Sequence, residues 1–225
     1  AHQMLVPQPG WAEHRPEEDW WSDFVHVTKA MLADSRIDPK SIASIGCSAI
    51  GPCMLPVDKQ GAPLMNGVLY GVDTRATLEI ADLNAMIGEE VILDRCRNAL
   101  STQAAGPKIL WLKRNRPEIY ARAYKVLNST SFVTHRLTGK FTIDHYSAGN
   151  STPFYLPGKL GWSDELAPGV IDLNLMPELH WSTDIIGHVT KVAADATGLA
   201  AGTPVIAGTI DAAAEAVSVG VTEPS

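Results

Sequence analysis

The segment Gly208-Thr209-Ile210-Asp211 follows an apolar run, TPVIAG, and leads into a stretch of small residues, DAAAEAVSVG. This order predicts a buried strand, a turn at Gly208 and a helix that opens at Asp211. In open α/β sheets, ligands bind beyond the carboxyl ends of the strands. A helix start carries the positive end of the backbone dipole, which keeps a carboxylate ionised. An ionised Asp beside a substrate hydroxyl accepts its proton as the oxygen attacks phosphorus. Asp211 therefore fits a catalytic base. It also fits the plain role of a helix N-cap, the commoner role for an aspartate in that position. Gly208 fits a place where substrate or phosphate approaches the backbone closely.

Three further segments hold polar or flexible residues at element ends. In Ile45-Gly46-Cys47-Ser48-Ala49-Ile50-Gly51-Pro52-Cys53, a strand of small residues runs into a Gly-Pro turn. This places backbone at a strand's carboxyl end, and the plain reading is a strand break. In Tyr70-Gly71-Val72-Asp73-Thr74-Arg75, Asp73 and Arg75 are set to cap a helix and form an ion pair, a structural role. In Asp144-His145-Tyr146-Ser147, His145 gains meaning only where its loop folds over a pocket. The other histidines, His2, His14, His26, His135, His180 and His188, lack metal-ligand spacing, and Cys47 and Cys53 are too far apart for a zinc pair. No metal site is expected. Neither G-x-x-x-x-G-K-[ST] nor G-x-G-x-x-G is present, so neither of those phosphate cradles is available.

The elements that must position these residues alternate between strand and helix, the pattern of an α/β fold. Residues 2–7 read as a short strand. Residues 16–34 read as a helix with Pro16 in its first turn and an apolar stripe of Trp20, Phe24, Val27 and Met31. SIASIGCSAI reads as a buried strand and CMLPVD as a second extended piece. Residues 74–98 and 107–124 are mainly helical, with a break at Pro117. SFVTHRLTGK is a helix capped by Gly139. Residues 141–163 read as a long ordered loop. IIGHVT is a strand, KVAADATG a helix, and TPVIAG the last buried strand. The tryptophans read as core.

The bulk properties bound the function. The chain has 225 residues, with 45% hydrophobic, 19% charged and a formal net charge of −7. An acidic chain without Lys/Arg runs argues against nucleic acid or an anionic membrane as partner. Three cysteines are a poor disulfide framework and point to a reducing, cytoplasmic setting. No apolar run reaches the roughly 18–20 residues needed to span a bilayer. AHQMLVPQPGW is too polar for a signal peptide. It lacks an initiator Met and begins inside a strand, so upstream sequence is expected.

Taken in order, the segments resemble the N-terminal domain of the FGGY carbohydrate kinases, the family of xylulokinases, glycerol kinases and ribulokinases. The residues that carry the resemblance are PQPGWAEHRPEEDWW, SIASIGCSAIGPCMLPVDKQGAPL, YGVDTRA, GPKILWLKRNRPEIYARA, HRLTGKFTIDHYSAGNST and GLAAGTPVIAGTIDAAA. The resemblance implies a ribonuclease-H-like, actin-like ATPase domain with helical insertions over residues 1–225. It implies that the first strands, with the family's Asp-x-Gly-Thr phosphate loop, and a C-terminal nucleotide-binding domain lie outside the chain. The family's catalytic aspartate falls on Asp211. Its sugar-contacting positions fall on Gly51, Pro52, His145 and Ala212, with Asp73, Arg75 and Gly208 as pocket support.

This implies ATP-dependent phosphorylation of a terminal hydroxyl of a small sugar, ketose or polyol. ATP and Mg²⁺ would be held mainly by segments outside the chain. The expected partners are the small-molecule acceptor, the protein's own C-terminal domain and further copies of itself in a homo-oligomer. The Arg/Glu pair of glycerol kinases and the Met/His pair of xylulokinases are replaced by Gly51 and Pro52, with Ile50 where the family has Gln. Ala212 stands where the family often has Asn or Gln. These substitutions motivate an alternative, a non-catalytic sugar-sensing or interaction protein on the same fold. A dinucleotide-dependent oxidoreductase is a third reading, against which the missing glycine fingerprint counts.

Overall fold

The computed structural model of the chain describes residues 3–221. Its helices are α1 (Asp23–Ser35), α2 (Thr77–Ile87), α3 (Glu89–Cys96), α4 (Ala105–Asn115), α5 (Pro117–Arg122), α6 (Ser129–Thr138), α7 (His145–Gly149), α8 (Lys191–Thr197) and α9 (Asp211–Ser218). The strands are short. They are β1 (Glu13–His14), β2 (Ser48–Ala49), β3 (Leu55–Val57), β4 (Gly67–Val68), β5 (Lys125–Leu127) and β6 (Thr142–Asp144), then β7 (Tyr155–Leu156), β8 (Gly161–Trp162), β9 (Glu178–His180), β10 (Ile185–His188), β11 (Pro204–Ile206) and β12 (Thr209–Ile210).

β1 pairs with β4 and β3 with β5, both antiparallel, and a bridge between Met54 and Val68 joins the two ladders. β10 and β11 are antiparallel. Two pairs are parallel: β2 with β12, Ser48 opposite Thr209 and Ala49 opposite Ile210, and β6 with β9, Asp144 opposite His180. A parallel bridge from Ile45 to Val205 extends the first pair toward its amino end.

Two apolar cores flank these ladders. One gathers Leu83, Ile92, Phe154 and Leu156 around Ile109 and Leu112 of α4. The other gathers Leu55, Val57 and Leu127 around Phe132 and Leu137 of α6. Every residue of α4 from Ala105 to Leu112 is buried, as is α6 except Arg136. Burying each Leu or Phe contributes roughly 2–3 kcal/mol. These two helices form the rigid floor beneath the strand ends.

Several expectations are met. The Pro117 break separates α4 from α5, and Gly139 caps α6 in the left-handed region at φ 75°. Others are corrected. Residue 2 lies outside the described residues; among the described residues, the N-terminal segment makes one bridge, Leu5 to Glu13, in place of a strand. The apolar stripe splits: Trp20 is buried in the core with Phe24 packed against it, whereas Val27 is 53% and Met31 66% exposed and both border an open groove beside Gly46–Ala49. The 45–50 segment is an edge, with Ser48 exposed, not a strand buried on both faces. Residues 141–163 hold β6, α7 and the β7–β8 hairpin. They fold because Ile143, Ala148 and Tyr155 pack into a small core of their own.

Candidate active site

The parallel pairing of β2 with β12 brings two separated segments to one place. The chain leaves β12 into Asp211 and leaves β2 into Ile50 and Gly51, so the carboxyl ends lie side by side. Helix α6 fastens both. Thr130 Oγ1 accepts the Ala49 N–H at 3.2 Å and donates to the Thr209 carbonyl at 2.9 Å. Ser129 Oγ donates to the Ile50 carbonyl. Asn128 caps the helix by accepting the Ser131 N–H at 2.7 Å. The run of small polar residues, Asn-Ser-Thr-Ser, is thus a buried clamp, and its density of hydroxyls inside an apolar stretch was the available signal.

Asp211 is the first residue of α9, and the N-cap position belongs to Ile210. Among the described residues its carboxylate takes one hydrogen bond, from the adjacent Ala212 N–H at 2.9 Å. Because Ile210 holds the N-cap position, Asp211 is the first helical residue and the N-cap reading does not hold. A partly exposed carboxylate at a helix start, with its second oxygen uncommitted, can accept a proton from a bound hydroxyl.

The glycines here serve packing. Gly208 has φ 69°, and a Cβ on it would overlap the Cys47 carbonyl oxygen. The close approach that its geometry shows is to the neighbouring strand. Gly51 is buried with Ile210 against its α-carbon. Pro52 is buried and lines a small cavity of about 20 Å³. Both therefore shape the site from behind, and the structure gives neither an open face toward a ligand. Ala212 is exposed beside Asp211 and offers only a methyl group and the N–H already described.

Asp73 and Arg75 form a buried knot. Arg75 Nε and Nη2 donate to both Asp73 oxygens at 2.8–3.0 Å, and Nη2 also reaches Glu13 Oε1 at 2.8 Å. Asp73 further accepts the Ala12 N–H at 2.7 Å. The guanidinium lies 4.0 Å from the Trp11 ring centre and 5.0 Å from that of Trp111. The pair is sealed off from solvent.

Lys108, absent from the expectations, lies next to this knot with 1% of its surface exposed. Its ammonium donates to the Thr102 carbonyl. Burial lowers its pKa to about 8, against the opposing pull of Asp73. The Cys53 thiol is pushed up to about 12, first by burial, with Lys108 opposing and Asp211 adding to the rise.

His145 opens α7, directly after Asp144, whose carboxylate caps that helix through the Tyr146 and Ser147 N–H groups at 3.1 and 3.2 Å. The same oxygen accepts Thr209 Oγ1 at 3.0 Å and Ser182 Oγ at 3.3 Å. His145 is thereby tied beside β12. Its Nδ1 lies 2.8 Å from Tyr155 Oη, and its ring 4.5 Å from that of Trp181. Burial, then the Asp144 charge, raises the Tyr155 phenol, so it stays protonated at neutral pH. Asp144 had no assigned role in the sequence reading, and Trp181 was counted as core although it is 55% exposed.

No group of three His, Cys, Asp or Glu residues among the described residues could hold a metal ion. Among the described residues, the strand ends offer one uncommitted carboxylate and no cationic cradle. These residues fit an acceptor hydroxyl and do not by themselves fit a nucleoside triphosphate with Mg²⁺. No helix among the described residues is long and apolar enough to cross a membrane.

The model for the N-terminal domain of the FGGY family of carbohydrate kinases matches residues 1–218. The L-xylulose/3-keto-L-gulonate kinase of Escherichia coli (strain K12) is 32% identical over 222 residues, covering 96% of this chain and 44% of that protein. A glycerol kinase of Thermococcus onnurineus (strain NA1) is 32% identical over 191 residues, 82% of this chain and 38% of that protein. Among solved structures, the xylulose kinase from Rhodospirillum rubrum superposes with a TM-score of 0.89 at 28% identity, over 99% of this chain and 46% of that one. The chain thus spans less than half the length of these relatives.

Proposed function

The chain belongs to the FGGY family of carbohydrate kinases, with their actin-like ATPase fold, and from that premise we propose that the protein phosphorylates a terminal hydroxyl of a small sugar, ketose or polyol at the expense of ATP. The observation that carries the reading is the parallel β2–β12 pair, which sets Asp211 at a strand end with an uncommitted carboxylate oxygen. Asp211 holds the acceptor hydroxyl and takes its proton as that oxygen forms its bond to phosphorus. Clamped by Ser129, Thr130 and Asp144, the base is positioned before the acceptor arrives, which lowers the entropic cost of the encounter. His145 supplies a second polar contact on the acceptor.

Residues 1–225 are proposed as the acceptor-binding, catalytic-base domain. Contacts to adenine, the phosphates and Mg²⁺, which would neutralise phosphate charge, are placed in the part of the relatives' length that this chain does not span. A homo-oligomer in the cytoplasm is part of the same proposal, supported by the family resemblance. The names of the relatives set the panel that tests it: L-xylulose, 3-keto-L-gulonate, xylulose and glycerol. ADP release by the protein carrying this chain is expected with at least one of them. Failure with all four, and with related ketoses and polyols, would sink the kinase reading.

A further inference from the structure

β6 and β9 run parallel with Asp144 opposite His180, so the next residue on each strand, His145 and Trp181, leaves the ladder at the same end. Their rings meet at 4.5 Å with a 49° tilt. Trp181 keeps 55% of its surface exposed. Leaving an indole in water forgoes a large hydrophobic gain, so an exposed Trp on a fixed support is open to a ligand that covers it.

The support here is fixed. Trp181 and Asp184 close a turn, with the Trp181 N–H on Asp184 Oδ2 at 2.8 Å and the Asp184 N–H on the Trp181 carbonyl at 2.9 Å. That turn is stitched to the strand entering the site: Ala207 donates to the Asp184 carbonyl and Gly208 to the Ser182 carbonyl, each at 3.0 Å. Asp144 closes the loop by accepting both Ser182 Oγ and Thr209 Oγ1. The turn that carries the indole is therefore held next to the backbone that delivers Asp211, two residues after Thr209.

We propose that Trp181, braced by His145, is the platform on which the carbon skeleton of the sugar acceptor stacks, and that it sets specificity for acceptors with an extended C–H face. The inference rests on the kinase reading and names the substrate class of that same site. The negative face of an aromatic ring attracts polarised C–H groups, and an indole gives the largest such face. The edge of the platform is polar. In the tautomer whose Nδ1 accepts the Tyr155 O–H, Nε2 of His145 carries the hydrogen and can donate to a sugar hydroxyl. A ketopentose covers such a surface along several carbons, whereas glycerol covers less of it.

The test compares wild type with Trp181→Ala and Trp181→Phe in the protein carrying this chain. D-xylulose, L-xylulose and glycerol serve as acceptors. Trp181→Ala is expected to raise the ketopentose Kd and KM about tenfold, the loss of one well-placed aromatic contact. Trp181→Phe should stay within about threefold, the KM for ATP should not move, and glycerol should change less than twofold. In wild type, ketopentose binding should perturb tryptophan emission, and Trp181→Phe should abolish that response. A folded Trp181→Ala with unchanged ketopentose affinity overturns the inference, as does an equal rise in the KM for ATP. Should Trp181→Ala fail to fold, a persisting emission response in Trp181→Phe overturns it and loss of the response supports it. A wild type that phosphorylates no acceptor overturns the kinase reading instead, and the binding arm still decides the role of Trp181.

Discussion

Asp144 Oδ2 accepts the hydroxyl of Thr209 at 3.0 Å, so the carboxylate that caps α7 also holds the strand that presents Asp211. One side chain thereby couples His145, which follows it, to the base two residues beyond Thr209. Asp144→Ala leaves two backbone N–H groups and two hydroxyls without their acceptor. A loss of about 3 kcal/mol in stability is expected, since each buried donor left unpaired costs about 1–3 kcal/mol and part is recovered by water. Turnover should fall roughly tenfold to hundredfold as the base loses its alignment. Urea denaturation and steady-state kinetics measure both. Unchanged turnover in a folded variant removes Asp144 from the positioning role.

Gly208→Ala tests the contact between β12 and the Cys47 carbonyl. The substitution combines a left-handed backbone with overlap on a backbone oxygen, neither of which a side-chain movement relieves. Together these cost about 2–4 kcal/mol. Since the strain falls three residues before Asp211, kcat should drop with the fold retained at low temperature. A variant as stable as wild type would show that the strands separate more easily than this geometry implies.

Local rules explain which parts were legible. Pro117 and Gly139 act through their own backbone chemistry, so the α4–α5 break and the α6 cap could be read from residue type. The motif order placed Asp211 at a strand–helix junction, where the structure has it. What escaped depends on neighbours far apart in sequence. That Gly208 serves strand packing requires knowing that Cys47 lies beside it. The exposed face of α1 has apolar helical periodicity without a partner among the described residues, and periodicity alone does not reveal burial. Asp144 and Trp181 acquire meaning only through the parallel β6–β9 register and the Thr209 contact. The distinction between N-cap and first helical residue at Asp211 is a shift of one position, finer than spacing resolves.

Arg75 is the cation between Asp73 and Glu13, with its side chain fully buried. Arg75→Met leaves two carboxylates facing each other without their counter-charge. Removing one partner of a buried ion pair costs about 3–5 kcal/mol. The midpoint of urea unfolding should fall accordingly, with the denaturant slope little changed. A loss under about 1 kcal/mol would place the pair among the weakly coupled, water-screened kind.

Lys108 gives a pH signature. Its pKa in the fold is about 8, below the usual lysine range near 10.5, because burial penalises the ammonium. Between those values the unfolded chain binds more protons at this residue than the folded one, so stability rises with pH across that interval. The shift corresponds to about 3 kcal/mol as an order of magnitude. The raised thiols of Cys47 and Cys53 act in the opposite sense at high pH, so the comparison must be with Lys108→Met. Wild type should gain stability relative to that variant from about pH 8 to 10.5. A difference that stays flat over the interval would mean that the lysine keeps its charge at ordinary cost.

Asp211→Asn isolates the chemistry from the architecture. The amide keeps the oxygen that accepts the Ala212 N–H, and the position is only partly buried, so folding should be preserved within about 0.5 kcal/mol. The variant cannot take a proton from the acceptor hydroxyl. General-base contributions of roughly 10²–10⁴ in rate set the expected fall in kcat, with the acceptor KM little changed because the hydroxyl still finds a polar partner. Single-turnover measurements at saturating acceptor and ATP separate the chemical step from product release. Near-normal kcat in a folded Asp211→Asn would reassign the base, and Asp144, the other carboxylate tied to this strand end, would be the next residue to replace.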